Sequence, residues 1–234
     1  MAGSVNFLYF AFYLPHVRDA YHSVMTTKEK IIFKAIDLYN EQGFANITSR
    51  DIAKELKISH GNLEYHYQNK ETLLSAIYMC MKDEVSSYFA EIDQSQDPFV
   101  QFDTYLRRLE PFQTKYLFFN LDVLEISRKY PAIKEKLDAT ILLRKEQMTH
   151  FFNLFDESGY LQPEPSNEFY TRLQHKIRML ITFWVSQEAI LQNFHPGQHI
   201  TMTVSIWDLL LPHLTEKGKR QYKNVSQALT PVLK

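Results

Sequence analysis

Apolar residues recur every three or four positions along most of this chain, while runs of alternating β-branched residues are few. That spacing puts apolar side chains on one face of a helix, so the pattern predicts an all-α fold of about nine or ten helices. The first covers 27–42. Thr26 and Glu29 stand at the spacing at which a hydroxyl and a carboxylate cap a helix start reciprocally. Ile32, Ala35, Ile36 and Tyr39 supply its stripe, Gly43 ends it, and Phe44 and Ile47 are expected beneath it. Thr48 and Asp51 repeat the capping spacing before a short helix over 49–56, whose apolar face is Ile52, Ala53 and Leu56. Lys57-Ile58 makes a tight turn. Ser59 caps a third helix over 60–67, and Asn69 caps a fourth that runs through Leu73, Leu74, Ile77, Tyr78, Met81, Val85 and Phe89 to about residue 92.

Further along, Pro98 opens a fifth helix over 98–109, which Pro111 interrupts. A sixth covers 112–129, a seventh runs from Pro131 to about 157 before Gly159, and 161–167 reads as a loop. An eighth helix over 167–194, a ninth over 200–214 and a charged tenth over 216–229 complete the chain. The division expected is an N-terminal extension (1–25), a small helical head (26–72) and a helical effector-binding and dimerisation body (73–234).

The extension contains the apolar, aromatic run 5–14, preceded by MAGS without Lys or Arg. Three readings stay open: an upstream artefact with Met25 as first residue, an arm packed on the body, or a signal or anchor. No stretch of about 18 uncharged apolar residues occurs, so no membrane span is expected, and a cytoplasmic location fits. The single cysteine, Cys80, leaves no intrachain disulfide and no multi-cysteine metal site; it is expected as a core thiol. No metal-spaced His/Cys/Glu set, phosphate loop or nucleophile elbow occurs. Neither an enzyme nor a cofactor is expected.

Two short helices joined by a tight turn and braced by a longer helix form a helix-turn-helix, in which the N-terminal residues of the second short helix meet base edges. Here those are His60, Gly61 and Asn62. Glycine permits close approach to the groove wall, asparagine pairs with adenine, and histidine donates to guanine. Thr48, Ser49, Arg50, Tyr65, His66 and Lys70 are the candidate contacts to the DNA backbone, which fix register but carry no sequence information. As plain structure, Tyr65, His66 and Tyr67 would be packing residues, and Arg50 and Lys70 solvated charges. Net charge is −1 overall, which excludes a protein that coats nucleic acid indiscriminately. Glu64 inside the third helix would repel phosphate unless it points sideways or accepts from a cytosine amine.

The strings AIDLYNEQGFANIT (35–48), TSRDIAKEL (48–56) and ISHGNLEYHYQNKETLL (58–74) resemble the N-terminal domain of TetR/AcrR-type transcriptional regulators. The resemblance implies a head that binds double-stranded operator DNA and a body that forms a homodimer and commonly encloses a small-molecule pocket. It implies a ligand-responsive repressor on a near-palindromic operator; an activator of the same fold and an interaction module without DNA binding are the alternatives. Two residues depart from the family. Lys57 stands where glycine often ends the second helix, which implies backbone strain, and Glu64 stands where a tyrosine often touches phosphate. In the body, Phe102, Tyr105, Phe112, Tyr116, Phe118, Phe119, Phe151 and Phe155 are candidates for an apolar pocket, with Gln113, Asn120, Asp122 or His150 as polar handles. Ordinary core packing is the competing reading of each. Phe169, Leu173, Ile177, Leu180, Trp184, Ile206 and Leu210 are the candidate dimer interface.

Overall fold

The computed structural model describes residues 25–191 and 200–229, with side chains to 226. The N-terminal extension and the expected end of the eighth helix, beyond Leu191, lie outside the described residues. In chain order the helices are α1 (Thr27–Gln42), α2 (Ser49–Glu55), α3 (His60–His66), α4 (Lys70–Ala90), α5 (Pro98–Lys115), α6 (Leu117–Lys129), α7 (Pro131–Glu157), α8 (Phe169–Leu191), α9 (Met202–Leu210) and α10 (Glu216–Leu229). A 3-10 turn, Leu211–His213, follows α9. The fold is all-α, and an isolated bridge pairs Leu161 with Leu214.

Most helix ends fall where local chemistry demands. Thr26 and Glu29 form the reciprocal cap of α1, with the Thr26 N–H donating to Glu29 Oε2 at 2.8 Å and the Glu29 N–H to Thr26 Oγ1 at 3.3 Å. Two donors that the helix itself leaves unpaired are thereby satisfied, worth about 1 kcal/mol. Thr201 caps α9 through the Val204 N–H, and Asp97 caps α5 through the Phe99 N–H with Pro98 in the first turn.

Pro111 does not interrupt α5, contrary to the sequence expectation: the helix runs through it to Lys115. Leu109, Phe112 and Gln113 continue the buried face begun by Phe102, Tyr105 and Leu106, and burying those side chains outweighs the hydrogen bond that proline removes. The break comes at Tyr116, which leaves helical geometry at φ −111° and ψ 40°. The ninth predicted helix is likewise shorter, because Pro212 tightens its end into the 3-10 turn.

The described residues divide into two compact units, those up to Glu84 with Leu124–Ile133, and Val85–Val123 with those from Lys134 onward. In the first, Ile31, Ala35, Ile36, Ile52, Leu63, Leu73, Leu74 and Ile77 are buried around α1 to α3. In the second, Phe99, Phe102, Phe151, Phe155 and Trp207 form an aromatic core. Phe99 meets Phe155 at 4.9 Å and Trp207 at 5.0 Å, both near edge-on, the arrangement ring quadrupoles favour. The buried Trp207 Nε1–H donates to Asp103 Oδ1 at 2.8 Å.

Candidate nucleic-acid interface

The head is built from three short-range devices. The first is the Thr48–Asp51 box. The Thr48 N–H and hydroxyl donate to Asp51 Oδ2 at 2.8 and 2.6 Å, and the Asp51 N–H returns to Thr48 Oγ1. Hydrogen bonds from the Thr48 side chain, then its backbone, hold the Asp51 carboxyl below the usual aspartate range. The second is the turn after α2. The Lys57 N–H donates to the Lys54 carbonyl at 3.1 Å and the Ile58 N–H to the Ala53 carbonyl at 3.0 Å, the paired bonds that close a helix through a left-handed residue. Lys57 is that residue, at φ 56°, so the strain implied by its departure from glycine is present. The third is Ser59, whose Oγ accepts from the Asn62 N–H at 3.1 Å and starts α3.

These devices fix which side of α3 is spent on packing. Leu63 is fully buried, and Tyr67 is buried just past the helix end, where its hydroxyl donates to the Lys28 carbonyl at 3.4 Å. Burial, then Cys80 and Glu29, pushes the Tyr67 phenol up to about 12. Of the three aromatic positions, Tyr67 is therefore the packing residue. Tyr65 is 84% exposed. Gly61 and Asn62 are exposed and His60 and His66 half-exposed, with the Tyr65 and His66 rings 5.2 Å apart. Thr48 and Arg50 are exposed and Ser49 half-buried at the start of α2. A Cβ added at Gly61 would meet nothing within 4 Å, so nothing inside the chain demands glycine there. Glu64 Oε2 lies 3.6 Å from His60 Nδ1, so this carboxylate leans along the helix toward its start.

Lys70 is not a free surface cation. Its ammonium donates to the Phe44 carbonyl and, at 2.7 Å, to the Ile47 carbonyl. It also stands 4.1 Å from the centroid of the Phe44 ring. Sequence spacing gave no sign of this, because the partners lie more than twenty positions upstream.

The expected pocket residues are turned inward. Phe102, Phe151 and Phe155 are fully buried and Tyr105, Phe112, Tyr116, Phe118 and Phe119 nearly so. Phe151 meets Phe102 at 5.1 Å and Tyr105 at 5.5 Å, and Phe112 meets Tyr116 at 5.0 Å. These rings fill one another's space as core. The Asn120 amide donates to the Gln113 and Tyr116 carbonyls, and the Gln113 amide to the Ile181 carbonyl. Gln113 Oε1 is buried without a partner. His150 is exposed and meets the Phe89 ring edge-on at 5.6 Å, and Asp122 is half-buried.

Of the expected dimer surface, Leu173, Ile177, Ile206 and Leu210 are buried within the chain itself. Phe169, Leu180 and Trp184 are half-buried. Apolar surface that the chain leaves uncovered includes Met179, Phe183 and Ile190 elsewhere on α8, Ile200 just before α9 and Val204 in its first turn. Residues 179, 183 and 190 share one helical face, and in the sequence an apolar residue carries no mark of which face it serves.

Among the described residues, no three His, Cys, Asp or Glu side chains gather as metal ligands, and no helix is long and apolar enough to cross a membrane.

A capped helix-turn-helix with an open recognition face, followed by a larger helical bundle, defines a DNA-binding transcriptional regulator. The comparisons with known proteins agree. Residues 31–77 match the family model described as bacterial regulatory proteins, tetR family, and residues 80–222 match the TetR model described as a bacterial transcriptional repressor. The chain therefore belongs to the TetR family and is a sequence-specific DNA-binding regulator. It is 26% identical over 162 residues to the biofilm operon icaADBC HTH-type negative transcriptional regulator IcaR of Staphylococcus aureus strain Newman, covering 61% of this chain and 87% of that one. Against IcaR of Staphylococcus epidermidis the identity is 46% over 46 residues, 20% of this chain and 25% of that one. Its fold is similar to a TetR-family regulator from Marinobacter aquaeolei VT8, with TM-score 0.76 and 24% identity over 87% of this chain and 98% of that one. It is also similar to a transcriptional regulator from Saccharomonospora viridis solved in complex with choline, with TM-score 0.67 and 19% identity over 81% and 97%.

Proposed function

We propose that the protein is a ligand-responsive repressor that binds a near-palindromic operator as a homodimer. Residues 26–72 read the DNA, and 73–234 carry dimerisation and the effector response. The observation that carries the reading is the outward side of α3. His60, Gly61 and Asn62 lead it, and the one apolar anchor of the helix, Leu63, is turned away. In this reading Asn62 and His60 contact base edges and Gly61 lets the helix start approach the groove wall. Thr48, Ser49, Arg50, Tyr65 and His66 meet phosphates and sugars. In this reading Glu64 leans along the helix toward His60.

Repression is supported by the IcaR relatives, named as negative regulators. Homodimerisation is supported by the uncovered apolar face of Met179, Phe183 and Ile190. A two-fold dimer presents two copies of α3, one for each half of a near-palindrome, and such half-sites lie about 34 Å apart or further. An organic effector is supported by the buried, unpartnered Gln113 Oε1, which offers an acceptor to a ligand N–H or O–H. The choline held by the Saccharomonospora viridis regulator is a precedent for small organic ligands on this fold.

The test is operator binding by the purified full chain, followed by a reporter assay in cells lacking the gene. A defined footprint and raised target expression are expected. Lowered target expression would make the protein an activator, and the absence of any footprint at low and moderate salt would leave only an interaction module.

A further inference from the structure

We propose that Lys70 is a positioning residue for DNA binding: its ammonium clasps the loop between α1 and α2 and so sets where Thr48, Ser49 and Arg50 meet the DNA backbone. The inference rests on the reading of α2 and α3 as the DNA-facing elements.

Lys70 is the first residue of α4. A cation there faces the positive end of the helix dipole, an unfavourable place unless something else holds it. What holds it is local. Of its three donors, two are spent on the Phe44 and Ile47 carbonyls. Its charge lies over the Phe44 ring at 4.1 Å and near the Tyr39 ring at 5.4 Å. Phe44 is held in turn by Tyr39 and Tyr130, at 5.0 and 5.9 Å, both near edge-on. A lysine that seeks phosphate extends its stem toward water. This one is half-buried, and burial followed by the neighbouring Lys129 lowers its pKa from the ordinary lysine value.

The consequence for DNA follows from peptide planarity. The Ile47 carbonyl and the Thr48 N–H belong to one rigid peptide unit. Lys70 fixes the carbonyl end, and Asp51 Oδ2 accepts from the N–H end at 2.8 Å. The peptide that launches α2 is thus pinned on both sides. Elsewhere in the loop the Gly43 N–H donates to the Tyr39 carbonyl at 3.0 Å, the Asn46 amide to the Gln42 carbonyl, and the Asn46 N–H, over 3.3 Å, to the Gly43 carbonyl. Removing the clasp frees the start of α2 to tilt, and the exposed Arg50 with it.

The experiment compares the full-length wild type with Lys70→Met, Lys70→Gln and Arg50→Met on a selected operator across a salt series. Amide hydrogen exchange is measured on the same proteins without DNA. A lysine on phosphate contributes about 0.9 to the slope of log affinity against log salt. For Lys70→Met we expect affinity reduced roughly ten-fold at every salt concentration, the worth of a charged hydrogen bond, with the slope unchanged. Arg50→Met loses affinity and slope together. In the DNA-free protein, amides of residues 43–50 exchange faster in Lys70→Met than in wild type. Lys70→Gln, which can donate to the same carbonyls without charge, lies between the two in both readouts. A shallower slope for Lys70→Met overturns the proposal and makes Lys70 a phosphate contact. Unchanged exchange over 43–50 also overturns it, since the clasp would then hold nothing. A wild type that selects no duplex sinks the DNA-facing reading instead, and the exchange data still report whether the clasp exists.

Discussion

Replacing Gly61 by alanine should push folding and DNA binding in opposite directions. Gly61 is the second residue of α3, is exposed, and has no positive φ. A Cβ there would meet nothing within 4 Å. Alanine is favoured over glycine in a helix by up to about 1 kcal/mol, chiefly because it has less freedom to lose. In the first turn of a short helix we take half of that, about 0.5 kcal/mol. For a chain of this size that raises Tm by roughly 1–2 °C. Against a groove wall the same methyl is an intruder. Forcing a methyl into close-packed contact costs about 1–3 kcal/mol, which is a loss of roughly 5- to 150-fold in operator affinity. Calorimetry of the DNA-free protein and fluorescence anisotropy on an operator duplex measure the two effects. A lowered Tm would mean that the chain itself needs glycine at 61. Unchanged affinity would mean that this face does not approach DNA.

Lys57→Gly should stabilise the protein by about 0.5–1 kcal/mol, because relief of the left-handed conformation at φ 56° exceeds the entropy glycine loses on folding; a lower urea midpoint would contradict this. Asn62→Ala should change base preference at one position of each half-site while leaving affinity for non-specific DNA as it was; equal loss on both would remove Asn62 from base reading. The Asp51 carboxyl is held below its usual range by Thr48, so its capping contribution is present above the ordinary aspartate pKa of about 3.9 and is lost as pH falls through the lower folded value. The Tm gap between wild type and Asp51→Asn should therefore be full at neutral pH and close in acid; a gap that widens on acidification would refute the assignment. Phe151→Ala removes a fully buried ring that packs on Phe102 and Tyr105 and should cost about 3–5 kcal/mol in chemical denaturation. A cost under 1 kcal/mol would mean the cluster is loosely packed and can open.

What the sequence made legible was local. The boxes at Thr26–Glu29 and Thr48–Asp51 and the Ser59 cap are set by residues three or four apart, and each falls where the spacing put it; the stripe of α1 instead turns on Ile31, with the expected Ile32 half-buried. The strain at Lys57 was legible only from the family resemblance, because lysine stands where glycine often supplies the left-handed residue that ends a helix. Long-range geometry was not legible. The Lys70 clasp depends on α4 starting beside the loop after α1. Pro111 stays inside α5 because Phe112 and Gln113 have a core to fill, and proline alone predicts only the break. On α8, Leu173 and Phe183 are equally apolar, and only the fold decides that the first is core and the second uncovered. The aromatic residues of α5 and α7 carried the same ambiguity between core and pocket lining, and spacing alone does not show that Phe151 packs on Phe102 and Tyr105.

The central claim, that α3 reads DNA sequence, is tested most directly by selecting duplexes from a random library with the purified full chain. Wild type and Asn62→Ala are run in parallel at low and moderate salt. A two-fold-related motif should emerge, with half-sites about one helical turn apart or further, and Asn62→Ala should alter the same base position in each half. Absence of any enriched motif, or an identical motif from both proteins, would contradict it.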